Sequence, residues 1–193
     1  MIETRQARLY GRRDLKVEVG QVTEPGLGEV RLKMAVGGIC GSDLHYYQEG
    51  GFGPVQVREP IILGHEASGH VEALGEGVSG LALGQLVAVN PSRPCGNCRF
   101  CRENLPIHCL DMQFMGSAMR LPHAQGMFRD RLVVPAPQCV PVADGVTAAE
   151  VACTEPLAVC LHAISRAGDL AGKKVLVTGA GPIGALVAMF VHC

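Results

Sequence analysis

The chain has 193 residues, of which 48% are hydrophobic and 18% charged, a balance typical of a folded globular protein. Lys and Arg total 17 against 18 for Asp and Glu, and the resulting net charge of −1 argues against a nucleic-acid-binding protein. The N-terminus has no apolar signal core, and glycines and a proline interrupt the uncharged stretch 175–193. We therefore expect a cytoplasmic protein without a membrane span.

The first part of the chain, to about residue 145, has the pattern of short strands separated by turns. The segment EVRLKMAV (29–36) alternates, with its apolar residues on one face and Arg31 and Lys33 on the other. The runs SGHVEAL, QLVAV and RLVVP are also β-prone and are separated by Gly- and Pro-rich turns. This pattern predicts a compact β-barrel-like unit over residues 1–150.

The pattern changes near residue 147. The sequence TAAE (147–150) has capping-box spacing and predicts the start of a helix. Pro156 suits the first turn of a second helix, PLAVCLHAISRA, which Gly168 would end. The remainder, KKVLVTGAGPIGALVAMFVHC, predicts a strand, a glycine turn and a helix that runs to residue 193. We therefore predict a second unit of α/β class over residues 151–193.

Four of the nine cysteines lie close together in the sequence PCGNCRFCRENLPIHC. Without a secretion signal, clustered thiols indicate metal binding rather than disulfides. The spacing C-x2-C-x2-C-x7-C predicts a closed structural zinc site formed by Cys95, Cys98, Cys101 and Cys109. An iron–sulfur cluster and unliganded cysteines are the alternatives.

A second group of metal-ligating residues lies in GICGSDLH (38–45) and LGHEASG (63–69). Cys40 and His65 are a mixed sulfur and nitrogen pair, as in catalytic zinc sites that keep one position open. Glu155 would approach the same ion if the TEP turn packs against this region. A buried cysteine and a hydrogen-bonded core histidine are the alternative interpretation.

The glycine turn GAGPIG follows an apolar run and precedes an apolar helix, which is the context of a dinucleotide-binding fingerprint. Gly179 would make the tight turn, Gly181 would admit the pyrophosphate and Gly184 would allow close helix packing. An ordinary β–α turn is the alternative. The cofactor-binding residues predicted here are Gly179, Gly181, Pro182, Ile183 and Gly184.

Five blocks occur together in one order: GGICGSDLHYY, GHEASGHVEALGEGV, PCGNCRFC, EPLAVCLHA and VTGAGPIG. With them the chain resembles the zinc-dependent medium-chain alcohol and polyol dehydrogenases, in the sorbitol dehydrogenase branch. The resemblance extends over essentially all 193 residues. It implies a GroES-like catalytic domain followed by the first strand, turn and helix of a Rossmann domain.

The resemblance also implies a role for each matching residue. Cys40, His65 and Glu66 would bind the catalytic zinc, and Glu155 would bind it directly or through water. Ser42 would contact the reacting oxygen, and His45 would pass its proton to solvent. Asp43 would orient His65, and Tyr46 would line the substrate pocket.

The implied reaction is the oxidation of a secondary alcohol of a sugar acid or polyol by NAD or NADP, in a homodimer or homotetramer. L-idonate is the expected substrate, with sorbitol, xylitol or threonine as alternatives; a non-catalytic zinc module is the alternative from another class. The family is longer, so we expect this chain to be an inactive fragment that has lost its C-terminal part. The turn GMFRDR also departs from the family pattern G-x-F-A-E-Y at Met127, Arg129 and Asp130.

Overall fold

The structure is a computed structural model, and it describes residues 1–191. Within that range the strands are β1 (Ile2–Gly11), β2 (Asp14–Val22), β3 (Glu29–Gly37), β4 (Gly51–Phe52), β5 (Val55–Gln56), β6 (Ile61–Ile62), β7 (Ala67–Leu74), β8 (Leu86–Val89), β9 (Ser92–Arg93), β10 (Gln113–Phe114), β11 (Arg131–Pro135) and β12 (Cys139–Pro141). The helices are α1 (Gly41–Glu49), α2 (Arg99–Arg102), α3 (Ala148–Ala152), α4 (Thr154–Ala167) and α5 (Pro182–Val191). The four strands predicted from sequence correspond to β3, β7, β8 and β11.

All strand pairs of the described residues are antiparallel. A five-stranded sheet has the order β11-β3-β7-β8-β12, and a three-stranded sheet has the order β2-β1-β6. An isolated bridge between Gln6 and Arg129 joins β1 to the segment before β11. The result is a unit of connected antiparallel strands over the first 141 residues, as the sequence predicts.

The main hydrophobic core lies on the five-stranded sheet. Val30 and Leu32 of β3 are fully buried in it, as the alternation predicts. The register of β3 against β7 shifts between Met34 and Val36, and Val36 is exposed. The prediction that Val36 shares the buried face is therefore wrong, because the irregularity changes the side on which it lies.

The other face of β3 is also covered. Arg31 is only 7% exposed, and its guanidinium makes ion pairs of 2.6 Å with Glu24 and 2.8 Å with Glu72. Glu72 also accepts a 2.9 Å contact from Arg131. Burial acts to raise the pKa of Glu72, but hydrogen bonds from Arg131 and Arg31 hold it below its ordinary value. A buried arginine is tolerated here because both of its partners are carboxylates.

The helices after residue 147 begin and end close to the predicted positions. Thr147 and Glu150 form the predicted capping box at the start of α3. Helix α4 contains Pro156 in its first turn and ends at Gly168, which has a φ of 78°. None of the described helices is long and apolar enough to cross a membrane.

The strand predicted at residues 175–178 is wrong for the described part of the chain. These residues have no strand assignment, and no partner strand lies beside them within residues 1–191. A strand needs at least one neighbouring strand to supply its backbone hydrogen bonds, which explains why the local β propensity alone does not form one here. The glycine turn and α5 do form, and the last two residues of the predicted helix lie outside the described residues.

Candidate functional site

The four clustered cysteines converge as the spacing predicts. The sulfurs of Cys95, Cys98, Cys101 and Cys109 all lie within 4.8 Å of one another, and these cysteines form no disulfide. Two of the separations are 3.5 Å, between Cys98 and Cys101, and 4.0 Å, between Cys95 and Cys101. Such spacing fits a tetrahedral ion with metal–sulfur bonds of about 2.3 Å, which leaves no coordination position for a substrate.

The electrostatics of this loop also fit a cation. Backbone N–H groups of Leu110 and Cys101 stabilise the Cys98 thiolate and lower its pKa to about 6. Loss of hydration and the neighbouring Cys98 raise the pKa of Cys101 to about 12. Four adjacent sulfurs cannot all ionise without a positive charge among them, and a bound Zn²⁺ would supply that charge.

The second predicted group also comes together. The ligand atoms of Cys40, His65 and Glu66 lie within 4.8 Å of one another. These three donors are sulfur, nitrogen and oxygen, so a tetrahedral ion held by them keeps one open position. His65 is buried, and its Nδ1 has no hydrogen-bond partner among the described residues. A buried polar atom without a hydrogen-bond partner lowers the stability of the folded chain. Such an atom is typical of a site that binds a ligand.

Asp43 connects the two loops that carry these ligands. Its Oδ2 accepts a hydrogen bond of 3.0 Å from the backbone N–H of Cys40, and its Oδ1 accepts one of 3.1 Å from Gly64. Its Oδ1 lies 3.8 Å from His65 Nδ1, which is longer than a hydrogen bond. Asp43 therefore holds the backbone of both loops beside His65, and its predicted role in orienting the imidazole ring stays a prediction.

The pair of strands β3 and β7 carries the open site. Strand β3 ends three residues before Cys40, and β7 begins immediately after Glu66. The Gly38 N–H donates a 2.7 Å hydrogen bond to the Glu66 carbonyl and so continues the pairing beyond the strands. A side chain on Gly38 would collide with the Glu66 carboxylate, and one on Gly64, with a φ of 92°, would collide with the Phe128 ring. The positive φ and the rigid ring require glycine at Gly64, whereas a side chain on Gly38 would displace the flexible Glu66 carboxylate.

Glu155 lies in the first turn of α4, next to this group. Ser68 of β7 donates a 2.7 Å hydrogen bond to the Ala148 carbonyl and fixes α3, which precedes α4, against the sheet. Burial raises the pKa of Glu155; His65 acts to lower it and Glu66 raises it further. Of the two glutamates, Glu66 completes the group of three ligands, and Glu155 faces it.

The residues predicted on α1 have different environments. His45 is exposed, and its ring lies 6.2 Å from that of Phe52, whereas Ser42 is partly buried. Tyr46 is only 2% exposed and belongs to a core with Leu9 and Ile61. Its hydroxyl accepts a 3.1 Å hydrogen bond from the Ala118 N–H. Tyr46 is thus a core residue whose hydroxyl is used within the core, and its predicted contact with a substrate stays a prediction.

A cavity of about 710 Å³ lies beside Glu155. Phe114 forms part of its wall, and the ring of Phe114 lies 5.4 Å from that of His65. Sequence reasoning did not single out Phe114, because the contact joins residues that no motif connects. A cavity of this volume is typical of small-molecule sites.

The turn GMFRDR, which departs from the family pattern, has structural contacts in this chain. Met127 is buried in the main core. Asp130 accepts hydrogen bonds of 2.8 and 3.2 Å from Arg5. These two departures are therefore accounted for by packing and by pairing with β1.

The glycine turn has the geometry that a dinucleotide-binding turn requires. Gly179 has a φ of 92°, which favours glycine. A side chain on Gly184 would collide with the Gly179 carbonyl, whereas one on Gly181 would meet nothing within 4 Å. The backbone at Gly181 is therefore open to a ligand at the start of α5, where Pro182 is the first residue. Ile183 is largely exposed beside it.

Comparison with known proteins agrees with the fold and with the resemblance drawn from the motifs. The chain is 49% identical to L-idonate 5-dehydrogenase (NAD(P)(+)) of Escherichia coli K12 over 151 residues, which are 78% of this chain and 43% of that protein. It is 41% identical to sorbitol dehydrogenase of Homo sapiens over 182 residues, which are 91% and 48% of the two chains. The crystal structure of the Escherichia coli L-idonate 5-dehydrogenase superposes with a TM-score of 0.93 at 41% identity, over 99% of this chain and 54% of that one.

The chain thus spans about half the length of the curated relatives it matches. The sequence profile of the alcohol dehydrogenase GroES-like domain matches residues 26–144, which include both groups of metal-ligating residues except Glu155. That match, together with the antiparallel sheets, confirms the fold class predicted for the first part of the chain. The chain belongs to the alcohol dehydrogenase GroES-like domain family.

Proposed function

We propose that the chain is the zinc-binding half of an NAD(P)-dependent dehydrogenase that oxidises a secondary alcohol of a sugar acid or polyol. The observation that carries the proposal is the group of Cys40, His65 and Glu66, with Glu155 and a cavity beside it. Zinc held in an open site of this kind would supply Lewis-acid polarisation of an alcohol oxygen, and bound NAD(P) would supply the hydride acceptor. The closed tetrathiolate would serve folding only.

The chain's own residues would position the alcohol and remove its proton. Cys40, His65 and Glu66 would hold the metal, with Glu155 approaching it directly or through water. Ser42, in the first turn of α1, would contact the reacting hydroxyl, and His45, which is exposed on the same helix, would release the proton to solvent. Phe114 would limit access of water to His65.

We further propose L-idonate as the substrate, oxidised to the 5-keto sugar acid. The support is the identity of 49% over 151 residues with the Escherichia coli protein of that name, together with the superposition on its crystal structure with a TM-score of 0.93. The turn at Gly179, Gly181 and Gly184 would hold the pyrophosphate of NAD or NADP at the start of α5.

Reduced thiols in both metal sites favour the cytoplasm, and the resemblance favours a homodimer or homotetramer. We retain a domain boundary near residue 150.

The proposal is tested with a chimera in which residues 1–191 are joined to the second half of the Escherichia coli L-idonate 5-dehydrogenase. We expect the zinc-loaded chimera to reduce NAD(P) with L-idonate at a higher kcat/KM than with sorbitol. The matched control carries Cys40→Ser and is expected to lose activity while the tetrathiolate keeps its zinc. A higher kcat/KM for sorbitol or threonine would overturn the substrate, and full activity of the control would overturn the catalytic site.

The chain as it stands is proposed to bind zinc without catalysing hydride transfer. Within residues 1–191 the glycine turn has no neighbouring parallel strand on which adenine or nicotinamide could lie. Leu176 of the unpaired segment is 87% exposed, and Met189 and Phe190 of α5 are exposed as well, so this part should be the least stable. Turnover by the 193-residue chain at the rate of the chimera would contradict this.

A further inference from the structure

The cavity beside Glu155 contains a polar residue that the proposed reaction has not used. Asn90 lies between β8 and β9, and it lines the same cavity of about 710 Å³ as Glu155 and Phe114. It belongs to none of the metal, cofactor or proton-transfer groups described above. Its position in the wall raises the question of what its side chain presents to a substrate.

The orientation of the Asn90 amide is fixed by its surroundings. Its Oδ1 accepts a hydrogen bond of 2.9 Å from the Ser92 N–H, and only the oxygen of an amide can accept from an N–H. The backbone is held from both sides by Gln138, whose carbonyl accepts from Asn90 N at 2.8 Å and whose Nε2 donates to the Asn90 carbonyl at 2.7 Å. The Nδ2 donates to no residue within 1–191, so it remains a free donor on a rigid support.

The charged groups that line the cavity bear on which substrate group the Asn90 donor would bind. Glu155 is the only carboxylate among the described residues that line the cavity. A free N–H donor in the same wall provides a site for an acceptor oxygen of the substrate. A carboxylate is a stronger acceptor than a hydroxyl, because hydrogen bonds to ionised acceptors are about twice as strong.

We propose that Asn90 is a substrate-positioning residue that binds the carboxylate of a sugar acid through Nδ2, so that the distant hydroxyl is directed to the Cys40, His65 and Glu66 group. The proposal rests on the proposed function and names the feature that separates sugar acids from neutral polyols at that site. The cavity volume lies within the roughly 300–1,000 Å³ typical of small-molecule sites, so a six-carbon acid has room in it. Asn90 would select the substrate and take no part in the chemical step.

The substitution Asn90→Asp isolates this role. An aspartate keeps an oxygen in place to accept from the Ser92 N–H, and therefore preserves the local turn. Only the free donor changes, from an N–H to a charged oxygen. That oxygen repels a carboxylate but still accepts a hydrogen bond from a hydroxyl.

The test compares L-idonate with L-iditol, which has a CH₂OH group in place of the carboxylate. Binding of each to the zinc-loaded 193-residue chain is measured by ligand-observed NMR titration, with the zinc-loaded Cys40→Ser variant, which keeps the tetrathiolate ion, as the reference. We expect the unsubstituted chain to prefer L-idonate, and Asn90→Asp to weaken L-idonate binding about tenfold or more while changing L-iditol binding by less than about threefold. Asn104→Asp adds the same charge in the tetrathiolate loop, outside the residues that line the cavity, and should leave both affinities unchanged.

The outcomes separate this proposal from the function on which it rests. If Asn90→Asp weakens both ligands equally, or leaves the preference for L-idonate intact, Asn90 does not read the carboxylate and the proposed function stands. If neither ligand binds the unsubstituted chain more tightly than Cys40→Ser, the role of Asn90 is contradicted, and the activity of the chimera decides separately whether the proposed function stands. Thermal unfolding of the variant confirms that a change in preference is not a loss of fold.

Discussion

The two metal-ligating groups of this chain are built in opposite ways. The tetrathiolate takes all its ligands from one loop, residues 95–109, and backbone N–H groups of the same loop surround its sulfurs. The open group takes Cys40 from the loop after β3 and His65 and Glu66 from the loop before β7. Local chain geometry is therefore sufficient for the closed site, whereas the open site depends on tertiary contacts through Asp43, Gly64 and Phe128.

The largest expected effect is the selective loss of one ion. Cys95→Ser should remove the zinc of the loop and unfold that loop, because a closed structural site stabilises the segment that it binds. Cys40→Ser should remove only the other zinc and leave the loop folded. Metal analysis together with limited proteolysis at residues 95–109 measures both results, and an equal loss of metal from the two variants would contradict the separation of the sites.

The second-largest effect is the loss of stability expected when one glycine of each region is replaced by alanine. Gly64→Ala would place a side chain against the Phe128 ring at a φ of 92°, and we expect a loss of roughly 3 kcal/mol in the free energy of unfolding. Gly96→Ala, in the tetrathiolate loop, has a φ of 76° but meets nothing within 4 Å, so roughly 1 kcal/mol is expected. Urea unfolding measures both. Equal losses would mean that the surroundings of the open site are no tighter than those of the loop.

A smaller effect is expected in the sheet that carries the open site. Glu72→Gln weakens the contacts to Arg31 and Arg131 and should cost about 1–2 kcal/mol at neutral pH, reduced by partial exposure of the pair with Arg131. The pKa of Glu72 is held below its ordinary value of 4.5, so this stabilisation is fully present above pH 4.5 and is lost as the pH falls through the lower folded-state pKa. The difference between the variant and the unsubstituted chain should therefore disappear in acid. A difference that is constant with pH would rule out the ionised carboxylate as its source.

The smallest effect concerns the helix before Glu155. Thr147→Ala removes the side chain that accepts from the Glu150 N–H, and helix caps of this kind contribute about 0.5–1 kcal/mol to stability. Thr147→Ser keeps the hydroxyl and is the matched control. The midpoint of thermal unfolding should be the same for Thr147→Ser and the unsubstituted chain, and lower for Thr147→Ala. An unchanged midpoint for Thr147→Ala would show that the cap does not stabilise α3.

The comparison of the two sites also shows how far the sequence could predict the structure. The thiolate loop, the capping box at Thr147 and the turn at Gly179 were predicted correctly because each depends on residues a few positions apart. The alternation placed Arg31 on the face opposite the apolar residues but did not predict its burial, because its partner Glu72 is 41 positions away and no local pattern reveals such a pair. The packing of Tyr46 against Ala118 and of Phe114 against His65 depends in the same way on distant segments.

The segment 175–178 also shows that local sequence alone does not determine secondary structure. Its apolar residues have the local propensity of a strand, yet within residues 1–191 no neighbouring strand supplies the hydrogen bonds that would make it one. The turn that follows forms regardless, because the φ of Gly179 and its close approach to Gly184 are local properties. Strand propensity was thus realised where a partner strand is present, as for β3 and β7, and was not realised at residues 175–178.

The central claim is that the chain holds two zinc ions in different surroundings, and X-ray absorption at the zinc edge with metal analysis tests it most directly. The account predicts two ions per chain with five sulfur ligands between them, an average of about 2.5 sulfurs per zinc, and nitrogen or oxygen at the remaining positions. In Cys40→Ser the average should rise to about four sulfurs on one remaining ion. A single zinc with four sulfurs in the unsubstituted chain would contradict the open site and would favour a zinc module with no catalytic role.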